Sequence, residues 1–438
     1  MKKLTSIILV VLTCATATVS ACELNSAGKT DSGSYVAATS ENSTSDPYVY
    51  EPSTVRLTSG YVGANVKTEA LNEAYRAAFN SFTANVFKEL YNGDNALISP
   101  LSIELALAMT ANGAKGETLG EMENTLFGGG SINNFNANFK WYLDSVASQK
   151  DVVFSVADSI WFKDDEYFTV EDKFLQTNAD YYSAEAYKAP FNDATLKDIN
   201  GWVKSATSGM IDSILDKIDK DAVTYLINAL YFDADWAEQF EQEASLGVFT
   251  TENGKNRNEY FMFGSENVIY ENDYAEGFAK KYKGGRFAYL SMLPKEGVTM
   301  REMISSLDGE ALTKYFASGK KAAVRYKMPK IKLDYSTDLV ETLKKLGITT
   351  AFDGYYADFS GLGGYKGGNL YISIVKHKTA IEVTETGTKA SAVTAVGVNK
   401  ATSVMPPEEV RYVYLDRPFV YFILDTKTDT PVFMGAFN

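Results

Sequence analysis

The 438-residue sequence is poor in the residues that usually carry chemistry. It has one histidine, His377, and two cysteines, Cys14 and Cys22. A Ser-His-Asp or Cys-His machine would have to be built on His377, which stands between two lysines in a strand-like run. No G-x-S-x-G elbow accompanies it, so a structural, hydrogen-bonding histidine is the plainer reading. One histidine, and no cysteine pair beyond the N-terminal segment, leave a zinc site unsupplied, and neither a metal nor a cofactor is expected. The glycines at 128–130 lack the Lys-Ser/Thr that completes a phosphate loop. Basic residues are outnumbered 42 to 56 by acidic ones, a net charge of −14. That excludes the basic surface a nucleic-acid partner needs. Short clusters such as KKYKGGR (280–286) read as solvated surface. Among so many acids, no carboxylate pair stands out as a glycosidase's.

Apolar material is plentiful: 45% of the residues are hydrophobic and 13% aromatic, enough for a large core in one large domain or two ordinary ones. At the N-terminus, Lys2 and Lys3 precede the apolar stretch SIILVVLT (6–13), which is short for a bilayer span and suits an export signal. VSAC (19–22) is similar to the lipobox of bacterial lipoproteins, where cleavage frees a cysteine that is then acylated. Residues 1–21 are therefore expected to be removed, leaving Cys22 as a lipidated N-terminus and a membrane anchor. The alternative is an ordinary signal cut after a small residue. Cys14 leaves with the signal, so the exported chain has no intramolecular disulfide. Residues 22–66, with stretches such as AATSENSTSD (37–46), have no hydrophobic period and read as a flexible tether. The expected location is the cell surface, or the extracellular space after release.

From residue 67 the pattern changes. KTEALNEAYRAAFNSFTANVFKEL (67–90) puts Leu71, Tyr75, Phe79, Phe82 and Phe87 near one helical face. Ser99-Pro100 suits a helix start, and glycines bound a helical stretch at 113–128. Strand-like runs follow at 152–162, 222–232, 287–294, 322–333, 411–415, 419–424 and 432–437. Helices dominate early and strands late, without an internal repeat, which predicts an α+β fold. Residues 385–409, ETGTKASAVTAVGVNKATSVMPPEE, lie between two strand-like runs and far exceed a hairpin turn.

The order of short motifs resembles the serpins over residues 67–438. NALISPLSIELALAMTANGAKGET (95–118) is similar to the family's N-x-x-x-S-P-x-S-I segment and the Gly-Ala-Lys-Gly-x-Thr after it. INGWV (199–203), TSGMI (207–211), LINALYFDADWAEQF (226–240), MPK (328–330), LGIT (346–349) and ADFSG (357–361) follow in order. His377-Lys378, EVTETGTKA (382–390), RPFVYFI (417–423) and FMGAF (433–437) complete the series. The resemblance implies three β-sheets, about nine helices and an exposed reactive-centre loop at about 385–407. It implies a serine protease partner, trapped as a covalent acyl complex when the cleaved loop enters the central sheet as a strand. No enzymatic activity of its own is implied, and the expected state is a monomer.

The loop residues permit such insertion. With a period of two, Thr388, Ala390, Ala392, Thr394, Val396 and Val398 share one face and carry no charge. The other face carries Lys389, Ser391, Val393, Ala395, Gly397 and Asn399. Insertion in this register buries no charge, and no proline removes a ladder donor. The hinge (Glu385, Gly387, Thr388, Ala390, Ser391 and Ala392) is small apart from its first residue and the outward Lys389. By the resemblance, Ser99, Ser102, Asn228 and His377 form a polar cluster beneath the central sheet. Glu385, Lys330 and Trp236 meet at its top, where insertion begins. Counting seventeen residues from Glu385 places the bait bond at Ala401–Thr402, with Lys400–Ala401 and Val404–Met405 as neighbours. Alanine before the bond suits an elastase-like pocket, whereas Lys400 would suit a trypsin-like one, and subtilisin-like targets stay open. A serpin-fold binding protein that does not inhibit is the alternative function.

Overall fold

The computed structural model describes residues 54–240, 242–366, 368–388 and 410–438. The chain begins with β1 (Val55–Arg56), α1 (Glu73–Leu90), β2 (Ala96–Ile98), α2 (Pro100–Ala111), α3 (Gly116–Phe127) and α4 (Ile132–Ala147). It continues through β3 (Val152–Lys163), β4 (Phe168–Val170), α5 (Asp172–Tyr182), β5 (Glu185–Ala189), α6 (Asp193–Ala206) and β6 (Thr224–Asp235). Next come β7 (Ser245–Thr250), β8 (Asn256–Glu271), β9 (Ala275–Gly277), β10 (Ala279–Lys281), β11 (Phe287–Pro294), α7 (Met300–Ser305) and α8 (Gly309–Phe316). Then follow β12 (Lys320–Pro329), β13 (Ile331–Asp338), α9 (Val340–Lys345), β14 (Gly363–Tyr365), β15 (Ile374–Val383) and β16 (Gly387–Thr388). The last strands are β17 (Val410–Tyr414), β18 (Phe419–Asp425) and β19 (Thr430–Phe437).

Local chemistry explains the helix limits. Asn72 caps α1 by accepting the Tyr75 N–H at 2.8 Å, so the helix starts six residues after Lys67 and Leu71 precedes it. Ser99 caps α2, with Pro100 in its first turn. Every residue of α2 is buried, which marks a central helix, and it packs on β6 and β19. Gly128 ends α3 in the left-handed region at φ 59°.

The described strands form three sheets. The central sheet has seven strands in the order β1-β5-β3-β6-β16-β15-β13. A ten-stranded sheet follows the order β17-β12-β8-β9-β11-β18-β19-β2, with β7 on β8 and β10 on β11 off that path. Only the three residues of β9 bridge its two blocks. β14 and β4 form a small ribbon. The main core lies on one face of the central sheet, and a second core lies under α6 on the other, around Trp161, Ile199, Trp202, Tyr225 and Ile227.

Two expectations change. The tether does not extend to residue 66. Val55 and Arg56 pair with Lys188 and Tyr187 at the edge of the central sheet. Tyr61 then donates to Asp172 at 2.6 Å, and the Ala64 N–H to Asp180 at 2.8 Å. Polar composition hid this segment, because an edge strand needs backbone partners more than apolar side chains. The run 322–333 is also two strands, not one. It breaks at Lys330, and β12 and β13 belong to different sheets.

Candidate functional site

The site is the line between β6 and β15. These strands pair in parallel from Tyr225/Ile374 to Ala229/Lys378. Higher up they separate, and β16 sits between them: Thr388 pairs with Ala234 on one side and Val383 on the other. Gly387 and Thr388 are thus buried in the sheet, although the whole loop was expected to be exposed. Glycine is needed at 387 because a Cβ there would lie 2.2 Å from the Ala234 carbonyl oxygen.

Aromatic and charged side chains brace this entry. The Thr388 hydroxyl lies 2.5 Å from that of Tyr282, whose ring stacks on Trp236 with centroids 4.4 Å apart. Trp236 binds the approaching chain twice, through its indole N–H to the Thr384 carbonyl at 2.8 Å and its backbone N–H to the Thr386 carbonyl at 2.9 Å. Lys330 forms an ion pair with Glu385 at 2.9 Å, and the Ala244 N–H donates to the same carboxylate at 3.2 Å. Burial alone would raise the Glu385 pKa, but Lys330 and the backbone donors hold it below its usual value. The break at Lys330 puts this lysine at the junction of two sheets, within reach of the hinge. Beside it, Lys280 is 6% exposed, with its ammonium 4.5 Å from the Phe240 ring centre. Burial lowers its pKa, opposed by Glu266 and Glu238.

Lower down, Ser99, Ser102, Asn228 and His377 lie together. The Ser99 N–H donates to His377 Nε2 at 3.1 Å, so Nδ1 carries the proton and faces Asn228 Oδ1 at 3.3 Å. The Ser102 hydroxyl also donates to Asn228 Oδ1. Asn228 Nδ2 donates to the Ser102 carbonyl at 2.7 Å and to Asp158. Burial pushes the His377 pKa down to about 3, so the ring is neutral. With Nε2 taken by a backbone donor, His377 has no free base to activate a nucleophile. The cluster ties α2, β6 and β15 together and does no acid–base chemistry.

Asp158 and Tyr282 were missed in the sequence. Asp158 had a signal: it is the one acid inside the apolar run VVFSVADSIWF. Tyr282 had none, because its role depends on a strand from elsewhere in the chain. Ala390, Ser391, Ala392, Ala401, Thr402 and Cys22 lie outside the described residues. Among the described residues no group of three or more His, Cys, Asp or Glu could hold a metal, and no helix is long and apolar enough to cross a membrane.

Comparison with known proteins converges on one family. The family model described as Serpin (serine protease inhibitor) matches residues 77–438. A serpin-like protein of Thermococcus kodakarensis, TK1782, is 30% identical over 399 residues, which is 90% of this chain and 92% of that protein. The crystal structure of the thermophilic serpin tengpin in its native state superposes with a TM-score of 0.83 at 40% identity, over 88% of this chain and 99% of that one. Tengpin in its latent state, also 40% identical, gives 0.74 over 84% and 99%. The fold also carries a thyroxine-binding globulin solved with thyroxine, at 24% identity and a TM-score of 0.72 over 82% and 98%. Sheet order, the seated hinge and these matches together place the chain in the serpin family.

Proposed function

We propose that this protein is a suicide-substrate inhibitor of serine proteases, with an elastase-like enzyme as target and Ala401–Thr402 as the bait bond. The observation that carries the reading is β16, already seated between Ala234 and Val383 at the top of a line that is closed below. A strand continued from Thr388 in the same register would meet Phe232 and Ile381 at position 390, Leu230 and Thr379 at 392, and Asn228 and His377 at 394. Thr388 is 1% exposed and faces the core, as do Ile381, Thr379 and His377. The uncharged loop face would therefore be the buried one. Each new ladder bond contributes roughly 1 kcal/mol net, and the buried apolar groups add to it. Insertion would carry the acylated protease away from its landing site and distort it before water completes the reaction.

The better fit to native than to latent tengpin goes with the direct pairing of β6 and β15 below β16. A serpin-fold protein that binds a ligand without inhibiting is the second reading, and the thyroxine complex of thyroxine-binding globulin shows that the fold can hold a small ligand. Small residues through the hinge favour inhibition, because a bulky or charged inward residue would stall entry. Lys400 keeps a trypsin-like target as the variant in which the cut falls one bond earlier.

The same reading places the protein, as a monomer, on the outer surface of the cell, held by lipid at Cys22. A Cys22→Ala variant should lose both its detergent partitioning and its lipid mass. Partitioning with the full lipid mass shift would contradict the anchor.

A further inference from the structure

The Asn228 amide makes all four of its hydrogen bonds. Its oxygen takes the Ser102 hydroxyl and the His377 Nδ1–H, and its nitrogen serves the Ser102 carbonyl and Asp158. Only the His377 contact crosses the line where β6 and β15 must separate. Asp158, on β3, lies directly across from Asn228 in an antiparallel pair. Both residues stay on the same side of that line when it opens. We propose that Asp158 is a positioning residue for loop entry: its carboxylate fixes the orientation in which Asn228 latches β6 to β15, and protonation loosens that latch.

The argument rests on hydrogen-bond polarity. An ionised carboxylate only accepts, so it requires the nitrogen end of Asn228 and leaves the oxygen for His377. A turned amide would set its oxygen against the carboxylate and its N–H against the His377 N–H. Once protonated, Asp158 can donate, so the turned amide is tolerated on its side. Of the two acceptors that hold the nitrogen end, only the Ser102 carbonyl then still requires it, so the contact across the parting line is held less firmly.

The surroundings make Asp158 the group that titrates. It is 7% exposed and borders a small cavity lined by Leu143, Ala147, Phe154, Val156 and Tyr182. Ala184, just before β5, is the neighbouring buried residue on that side. On its face of the sheet the buried ionisable groups of the surrounding elements are Tyr182 on α5, Glu104 on α2, Tyr142 on α4 and His377 on β15, whereas Tyr187 on β5 and Tyr225 and Tyr231 on β6 point to the opposite face. The buried Arg286 reaches α4 at Ser145 but is paired with Asp425. No cation shifts Asp158, and burial, partly offset by Asn228, pushes its pKa up to about 7. His377, at about 3, does not change charge near neutrality. Relative to the unfolded chain the ionised carboxyl is a cost: its folded pKa is raised, so its stability is lost as pH rises. Relative to the parted sheet, where it stays buried on β3, the same ionisation favours closure.

This inference rests on the loop-insertion reading, but its test needs no protease. Hydrogen exchange of residues 374–379 in the full chain reports opening of β15 from β6. Wild type, D158N and the control E104Q are compared at the same pH, so intrinsic exchange cancels. The D158N to wild-type rate ratio should be near one at about pH 6 and rise several-fold, toward about tenfold, by about pH 8.5. E104Q should not reproduce this rise, since any stabilisation it brings at high pH can only slow exchange. A ratio that is flat, or larger in acid, overturns the proposal. If D158N does not fold, wild-type protection corrected for intrinsic exchange carries the test: it must rise with pH, and a flat profile overturns the latch. Covalent trapping of an elastase is scored separately. A rising ratio without trapping would remove the inhibitor reading and keep the latch; trapping with a flat ratio would do the reverse.

Discussion

Thr388 Oγ1 and the Tyr282 hydroxyl meet at 2.5 Å inside the central sheet, 106 residues apart in sequence. Thr388 is the first inward-facing residue of the hinge, and the rest of the loop would have to follow its path. A Thr388→Arg change would force a guanidinium into a position that is 1% exposed, beneath Trp236 and Tyr282. The bait would stay outside and remain cleavable. The expected outcome is a substrate: cleavage at the wild-type rate, with covalent complex reduced at least about tenfold, a loss of about 1.4 kcal/mol in partitioning. Gel analysis of complex against cleaved product measures it, and an unchanged ratio would rule out entry through this position.

The Lys330–Glu385 pair governs the hinge more than global stability. Both side chains are partly exposed, so the pair contributes under about 1 kcal/mol. Glu385→Lys should speed hydrogen exchange at 384–388 several-fold and lower Tm by only a few degrees. Adding Lys330→Glu should restore much of the protection. The Glu385 pKa is depressed on folding, so its contribution is present above the unfolded value and is lost as pH falls through the folded one. Wild-type protection should therefore be flat above about pH 5 and fall toward that of the variant below about pH 4.

Glu104 is a buried destabilising group. Neither carboxyl oxygen meets a donor at hydrogen-bonding geometry, and burial raises its pKa far more than the nearby Tyr75 lowers it. A raised acid stabilises the fold below its unfolded pKa and costs stability as pH rises. Glu104→Gln should raise resistance to heat at about pH 8 by roughly 1–3 kcal/mol, because it removes the buried charge and the proton uptake that avoids it, with a smaller gain at about pH 5. An equal or larger gain in acid would contradict this. Because many large proteins unfold irreversibly, the half-life at fixed temperature is the safer readout.

The sequence made some of this legible and concealed the rest for physical reasons. Ser99-Pro100 announced α2 because capping is local, and the apolar runs announced β3, β6 and β11 because burial sets their composition. The motifs led to Ser99, Ser102, Asn228 and His377, which do lie together. The docking of Val55–Arg56 was hidden because backbone pairing leaves little trace in composition. The break at Lys330 was hidden because Pro329 ends β12 inside a continuous β-rich run. The seating of Gly387 and Thr388 could not be read locally, since their partners, Ala234 and Val383, come from two other strands.

The most direct test of the account is to incubate residues 22–438 with an elastase-like protease and, separately, with trypsin. That span keeps the segment from Val55 to Ala64, which packs on β5 and α5. Denaturing gels would show any covalent species, and mass spectrometry would locate the cut. The account predicts a band at the summed mass with the elastase-like enzyme and a released peptide beginning at Thr402. A covalent band with trypsin and a peptide beginning at Ala401 would keep the mechanism and change the target. Clean cleavage of the loop by every serine protease tried, with no covalent band, would contradict the inhibitor reading.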